Sequence, residues 1–307
     1  MSAARDQTLE PAFTGSYRRA AILGAGLIGA SIGLGLKQRG LAEQVVGLAR
    51  RAATLEAARR VGAIDAGSSK LEEVLAGADL VVFAAPVRAS IALLEQTGRL
   101  AHLLRHEGGR RPLLTDVCST KLEIMQAAAG ALPTQVDFIG GHPMAGGECF
   151  GPECARGDLF VGATWLLTPT DQSSPAALAA ADGLARALGA RPLRLSPELH
   201  DRLVAEVSHL PHLLSVVLME QAGEKAGENP EIWQVAAAGF DDMTRLAAGS
   251  PEMWQDICLT NSAKIADALE GFRRRLEKIE EALRAGEGET LKELLGKAQQ
   301  YRTRLKE

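Results

Sequence analysis

The sequence predicts an α/β fold: an N-terminal Rossmann-type parallel sheet domain followed by an all-helical C-terminal domain. Three observations carry this. Between Arg18 and about Thr170, short β-rich runs alternate with helical stretches, the order that builds βαβ units and a doubly wound parallel sheet. A glycine-rich turn, Gly24-Ala25-Gly26-Leu27-Ile28-Gly29, joins the first such run to the first helix. Beyond Pro197 the strand signals stop and apolar residues recur at steps of three and four, the period of one helix face.

Met1 to Ser16 are polar and irregular, and residues 1–17 read as a flexible tail without the apolar core of a signal peptide. Arg19 to Leu23, Gln44 to Leu48, Asp79 to Ala84, Pro112 to Thr115 and Asp137 to Gly140 are short apolar runs that read as buried strands. Arg51 to Val61 and Ser90 to Leu104 are helix formers between them. Ala163 to Thr168 adds a strand before Pro169 and the Ser-Pro linker, which places the sheet domain at residues 18–172 and the helical domain at 173–307. The latter opens with a short helix, Ala176 to Leu188, and a short strand, Pro192 to Leu195. In the first long helix Leu203, Val207, Leu210, Leu214 and Val217 form one stripe expected to be buried. Ile265, Leu269, Phe272, Leu276, Ile279 and Leu283 repeat the pattern, either as an internal core seam or as a dimer interface. Gly286 to Gly288 should separate the last two helices.

Composition narrows the function classes. The 307 residues, 46% apolar, supply enough core for two domains. A net charge of -4 with both signs mixed leaves no basic stripe for nucleic acid. Cys118, Cys149, Cys154 and Cys258 have neither CxxC nor zinc-finger spacing, so they read as reduced thiols, with no metal, in a cytoplasmic protein. No apolar run approaches the roughly 20 residues of a membrane span, and no membrane partner is expected.

The glycine turn carries the first chemistry. Gly24 would make the tight turn and Gly26 would let the backbone approach a pyrophosphate. Gly29 would let helix pack on strand, with Leu27 and Ile28 opening the helix whose N-terminus faces the phosphates. Pro86, just past the strand Asp79 to Ala84, is assigned to the same cofactor side. An NAD site has an acidic residue about 20 residues on, bonded to the ribose. Here the second strand ends Gly47-Leu48-Ala49-Arg50-Arg51. Two guanidinium groups attract a 2′-phosphate, so NADP is preferred, with NAD as the second choice. The alternative makes Arg50 and Arg51 solvated charges at a helix start.

Four further segments belong together. Thr115-Asp116-Val117-Cys118-Ser119-Thr120-Lys121 and Gly141-His142-Pro143-Met144-Ala145-Gly146 each end a strand at the carboxyl edge, where ligands bind. Ser208-His209-Leu210-Pro211-His212 lies in the first long helix, its histidines opposite the apolar stripe and so facing water or a cleft. Phe240-Asp241-Asp242-Met243-Thr244-Arg245 precedes Ser250-Pro251-Glu252-Met253-Trp254.

This ordered set, DxxSxK, HPMAG, SHLPH and TR before PxMW, resembles the prephenate/arogenate (cyclohexadienyl) dehydrogenase family of tyrosine biosynthesis, from about Ala20 to Asn261. The resemblance implies a Rossmann domain joined to a helical dimerisation domain, hence a homodimer. It implies oxidative decarboxylation of prephenate to 4-hydroxyphenylpyruvate, or of arogenate to tyrosine, with hydride transfer to NAD(P)+. By resemblance His142 takes the ring hydroxyl's proton, and Ser119 positions that hydroxyl and the nicotinamide. Arg245 holds the ring carboxylate, oriented by Asp242, and His212 lines the pocket. Gly147 and Glu148 belong to a loop in which this chain departs from the family's pattern, with Gly147 where the family often has threonine and Phe150 where it often has a small polar residue, and that loop lies toward the substrate side chain. Tyrosine as product inhibitor would act at this site, since no regulatory domain follows the helices. His209 reads as structural, its ring bonded to backbone. Lys121 is either a loop support or a site residue, and Met253 and Trp254 read as core. Rival readings are a β-hydroxyacid dehydrogenase, whose interdomain lysine SHLPH lacks, and a non-catalytic dinucleotide-binding protein.

Overall fold

The computed structural model describes residues 16–105, 111–147 and 149–305; the tail up to Gly15 lies outside them. In chain order the elements of the first domain are β1 (Tyr17–Leu23), α1 (Leu27–Gln38), β2 (Ala42–Leu48), α2 (Ala52–Arg60), β3 (Ala66–Ser68), α3 (Leu71–Leu75), β4 (Leu80–Phe83), α4 (Val87–Arg99), β5 (Leu113–Asp116), α5 (Leu122–Ala131), β6 (Asp137–Pro143), β7 (Thr164–Thr168), α6 (Pro175–Ala187) and β8 (Arg191–Arg194). They build one eight-stranded sheet in the order β3-β2-β1-β4-β5-β6-β7-β8. All neighbours pair in parallel except β6 and β7, which are antiparallel, His142 opposite Leu166. Strand order reverses between β1 and β4, and such a switch point opens a crevice at the strands' carboxyl ends.

The short strands form because both faces are covered. Ile22 and Val82 pack on one side with α1 and α6, and Leu23, Val81 and Phe83 on the other with α3, α4 and α5. Each such buried side chain contributes about 1.5–3 kcal/mol. The sheet also runs past the Ser-Pro linker. Ala177, Ala181, Leu184 and Leu188 of α6 join the first core, and β8 pairs with β7. The first domain therefore ends near Arg194 instead of residue 172.

The second domain comprises α7 (Pro197–Val204), α8 (Leu210–Ala226), α9 (Ile232–Val235), α10 (Ala238–Thr244), α11 (Pro251–Thr260), α12 (Ser262–Ala285) and α13 (Gly288–Arg304). Ser196, Ser174 and Ser250 each cap a helix that starts with proline, the preferred opening. Gly286 ends α12 at φ +68°, a left-handed cap that glycine adopts without strain.

The expected stripe in the first long helix is not buried as a unit. A π-helical turn, Ala205–His209, separates α7 from α8; its one extra residue shifts the phase of the helix face. Leu203, Val207 and Val217 are exposed, while His200, Asp201, Val204, His209, His212 and Ser215 are buried. Pro197–Ala226 is also, contrary to expectation, long and apolar enough to cross a bilayer by length and composition. Polar residues on its buried face pack within the fold. In α12 only the start of the repeat is internal: Ile265 is buried, whereas Leu276, Ile279 and Leu283 are exposed.

Candidate active site

The glycine turn lies at the switch point. Gly24 has φ +118°, and a Cβ there would sit 2.5 Å from the Ala84 carbonyl oxygen; at Gly29 a Cβ would meet the Gly24 carbonyl at 2.0 Å. Both therefore require glycine. Gly26 instead faces open space and forms the N-cap of α1 without a side-chain cap. Leu27 and Ile28 begin α1, so unpaired backbone N–H groups and the helix dipole meet an open cradle suited to a pyrophosphate. The residues fit the dinucleotide. Pro86 stands exposed at the start of α4, beside the Ala84-Ala85 segment that closes on Gly24. Arg50 and Arg51 are exposed just after β2.

Two strands along, β5 and β6 end side by side. Asp116 accepts the Gly141 N–H at 3.0 Å through Oδ1 and the Cys118 N–H at 2.9 Å through Oδ2. Lys121 pairs with Asp116 and donates to the Gly141 carbonyl at 2.7 Å, wholly buried. It is thus a buried strap between the two motifs at the start of α5, as the loop-support alternative has it. Ser119, half-buried, lies inside this strapped loop.

His142, the sixth residue of β6, is 8% exposed. Its Nδ1 lies 2.9 Å from Nε2 of His200, whose Nδ1 lies 2.8 Å from Asp201 Oδ1. Asp201 also accepts the N–H groups of Lys121 and Leu122 at 2.7 and 2.9 Å. Burial, reinforced by His200 and Lys121, holds the His142 pKa well below 6.5, so the ring is neutral at pH 7. Burial lowers His200 as well. His200 and Asp201 were not singled out from sequence: a His-Asp pair in the first turns of a helix carries no motif, and only the fold brings it under His142.

On the helical side His212 is buried and stacks flat on Trp254, ring centroids 3.5 Å apart and planes 8° from parallel. Trp254 is thus a half-buried platform against His212, and Met253 is exposed; neither is a core residue. Among the described residues no backbone group bonds the His209 ring; its Nδ1 lies 3.2 Å from the Asn261 amide, which donates to the Asp201 carbonyl at 2.8 Å. Arg245 and Asp242 are exposed, Arg245 opening a 3-10 turn, Arg245–Ala248, that packs on α8. Thr120 bonds Thr260 at 2.9 Å, and the Arg88 N–H bonds Asp256 at 3.0 Å, so the helical domain is clasped to the carboxyl edge. A groove of about 740 Å³ between α5 and the linker contains none of the site residues expected from sequence.

After His142 the chain turns outward. Gly147 is exposed; Glu148 lies outside the described residues. Cys149 and Cys154, expected as free thiols, are brought together by the turn through Gly151 (φ +90°), their Cα atoms 6.1 Å apart. Cys118 and Cys258 are free.

Residues 32–193 match the family described as prephenate dehydrogenase, nucleotide-binding domain, and residues 196–297 match prephenate dehydrogenase, dimerization domain. The chain is 34% identical over 282 residues to prephenate dehydrogenase of Bacillus subtilis (strain 168), covering 92% of this chain and 74% of that one. It is 30% identical to cyclohexadienyl dehydrogenase of Zymomonas mobilis, covering 94% and 97%. The crystal structure of Aquifex aeolicus prephenate dehydrogenase with hydroxyphenyl propionate and NAD+ superposes with a TM-score of 0.84 at 28% identity, covering 95% and 99%. Synechocystis arogenate dehydrogenase gives 0.76 at 29%, covering 94% and 99%. A 3-hydroxyisobutyrate dehydrogenase of Salmonella typhimurium, at 0.55 and 15%, is alike in fold alone.

Proposed function

The chain belongs to the prephenate dehydrogenase family, and on that premise we propose how its residues divide an NAD(P)-dependent oxidative decarboxylation of prephenate, or of arogenate, in tyrosine biosynthesis. One observation carries the reading: a buried, neutral histidine, His142, ends a strand beside the dinucleotide crevice, where the helical domain closes over the sheet edge.

The bound nicotinamide supplies the acceptor for a hydride from the ring's carbinol carbon. As that hydride leaves, His142 takes the hydroxyl proton, worth typically ~10²–10⁴ in rate. Ser119 orients the hydroxyl. Arg245, steadied by Asp242, pairs with the ring carboxylate until the carbon–carbon bond breaks and CO2 departs. The bonding pair enters the ring and makes it aromatic; His142 then returns its proton to the phenolate, so no net proton is consumed. His212, on its Trp254 platform, and the Gly147-Glu148 segment line the side of the pocket toward the substrate side chain.

Three finer readings follow. NADP is preferred to NAD, supported by Arg50 and Arg51, which are exposed just past the end of β2 and whose guanidinium groups have no hydrogen-bond or ion-pair partner among the described residues. Two chains pair through the helical domain, supported by its exposed Val217, Leu218, Met219, Ile279 and Leu283, an apolar surface of the kind that marks an interface. Tyrosine, sharing the product's ring, inhibits by occupying the same pocket in the cytoplasm. The test is nicotinamide reduction by the purified protein, with prephenate and arogenate each assayed with NADP and NAD. Turnover with either substrate, faster with NADP, is expected; silence in all four combinations contradicts the assignment.

A further inference from the structure

We propose that His200 and Asp201 are positioning residues that leave Nε2 of His142 as its proton-accepting atom, an inference that rests on His142 being the base. It follows from an inventory of donors and acceptors. Three donors converge on the Asp201 carboxylate: the Lys121 N–H at 2.7 Å and His200 Nδ1 at 2.8 Å on Oδ1, and the Leu122 N–H at 2.9 Å on Oδ2. A carboxylate offers only lone pairs, so His200 carries its proton on Nδ1. A neutral imidazole has one N–H, which leaves His200 Nε2 a lone pair. That atom lies 2.9 Å from Nδ1 of His142, so the His142 proton sits on Nδ1. Nε2 of His142 is then bare and available to the substrate hydroxyl.

The reverse polarity is excluded by the same inventory. It would need a proton on Asp201 Oδ1, which already accepts a backbone N–H. It could also arise from a doubly protonated His200, but that ring is fully buried, with Lys121 among the groups disfavouring its charge. Asp201 does a second job. The two N–H groups it holds open α5, directly after the loop carrying Ser119. One carboxylate thereby fixes the polarity of His142 and the placement of Ser119 together. Once His142 has taken the proton, its Nδ1–H still points at a lone pair, and the row His142–His200–Asp201 stabilises the imidazolium, the logic by which a buried aspartate serves a catalytic histidine elsewhere.

The test reads the tautomer in the resting protein by ring-nitrogen NMR of the six histidines, assigned by single replacements. His142 and His200 are both expected protonated at Nδ1. His200→Phe keeps the ring volume but removes the acceptor; it is expected to lower kcat about a hundredfold while KM stays within about threefold. A His142 protonated at Nε2 in the wild type overturns the proposal, as does a His200→Phe kcat within about twofold of wild type. If His200→Phe does not fold, the wild-type tautomer decides alone. The tautomer is measured without substrate, so its failure is distinct from a lack of prephenate or arogenate turnover, which would count against the functional assignment instead.

Discussion

Lys121 and Asp116 form an ion pair with no solvent exposure on either side chain, and the same lysine ties the Gly141 carbonyl to the loop that bears Ser119. Breaking such a pair leaves an uncompensated buried charge. Lys121→Met should therefore cost about 3–5 kcal/mol of stability, measured by urea unfolding. A loss under about 1 kcal/mol would show that Asp116 is satisfied by its backbone donors alone.

His209 defines an acid limit. Burial, its largest cause, holds its pKa down to about 4 against an ordinary 6.5. Between those values the unfolded chain binds the proton and the folded protein does not, so stability is full above about pH 6.5 and declines as pH falls toward 4. The whole window corresponds to about 3 kcal/mol. Between about pH 7 and about pH 5, the wild type should lose about 2 kcal/mol more than His209→Gln. Parallel pH dependences in the two proteins would refute this role for His209.

Arg50 and Arg51 are expected to act on the cofactor alone. Replacing both by alanine should raise the KM for NADP about tenfold or more while leaving the KM for NAD within about twofold, since each charge-assisted bond to a phosphate is worth about 1.5–3 kcal/mol. Equal effects on both dinucleotides would place these side chains in the solvent instead.

The parts of the site that sequence disclosed are those where local geometry forces a residue type. Gly24 and Gly29 are required by carbonyl oxygens a Cβ cannot approach, and such constraints leave a spaced motif. His142 sits at the end of β6 and Lys121 in the loop from β5 to α5, in the chain order that the βαβ pattern implies. Trp254 belongs to the PxMW motif but reads as core in the sequence, because its stacking on His212 appears only when α11 packs beside α8; the His200–Asp201 pair leaves no motif, because its role exists only across the domain junction. The phase of the first long helix is not legible in the sequence for a physical reason: the stripe from Leu203 to Val217 is periodic, but the π turn at Ala205–His209 shifts the helix phase, and Leu203, Val207 and Val217 are exposed. β3 went unseen because Ala-Gly-Ser is strand only through its pairing with Val46 to Leu48.

The most direct test of the account replaces His142 by asparagine and measures dinucleotide affinity and turnover in the same preparation. The glycine cradle is separate from His142, so affinity for the dinucleotide should stay within about twofold while kcat falls ~10²–10⁴. Turnover within about twofold of wild type would remove His142 from the chemistry, and the mechanism built on it with it.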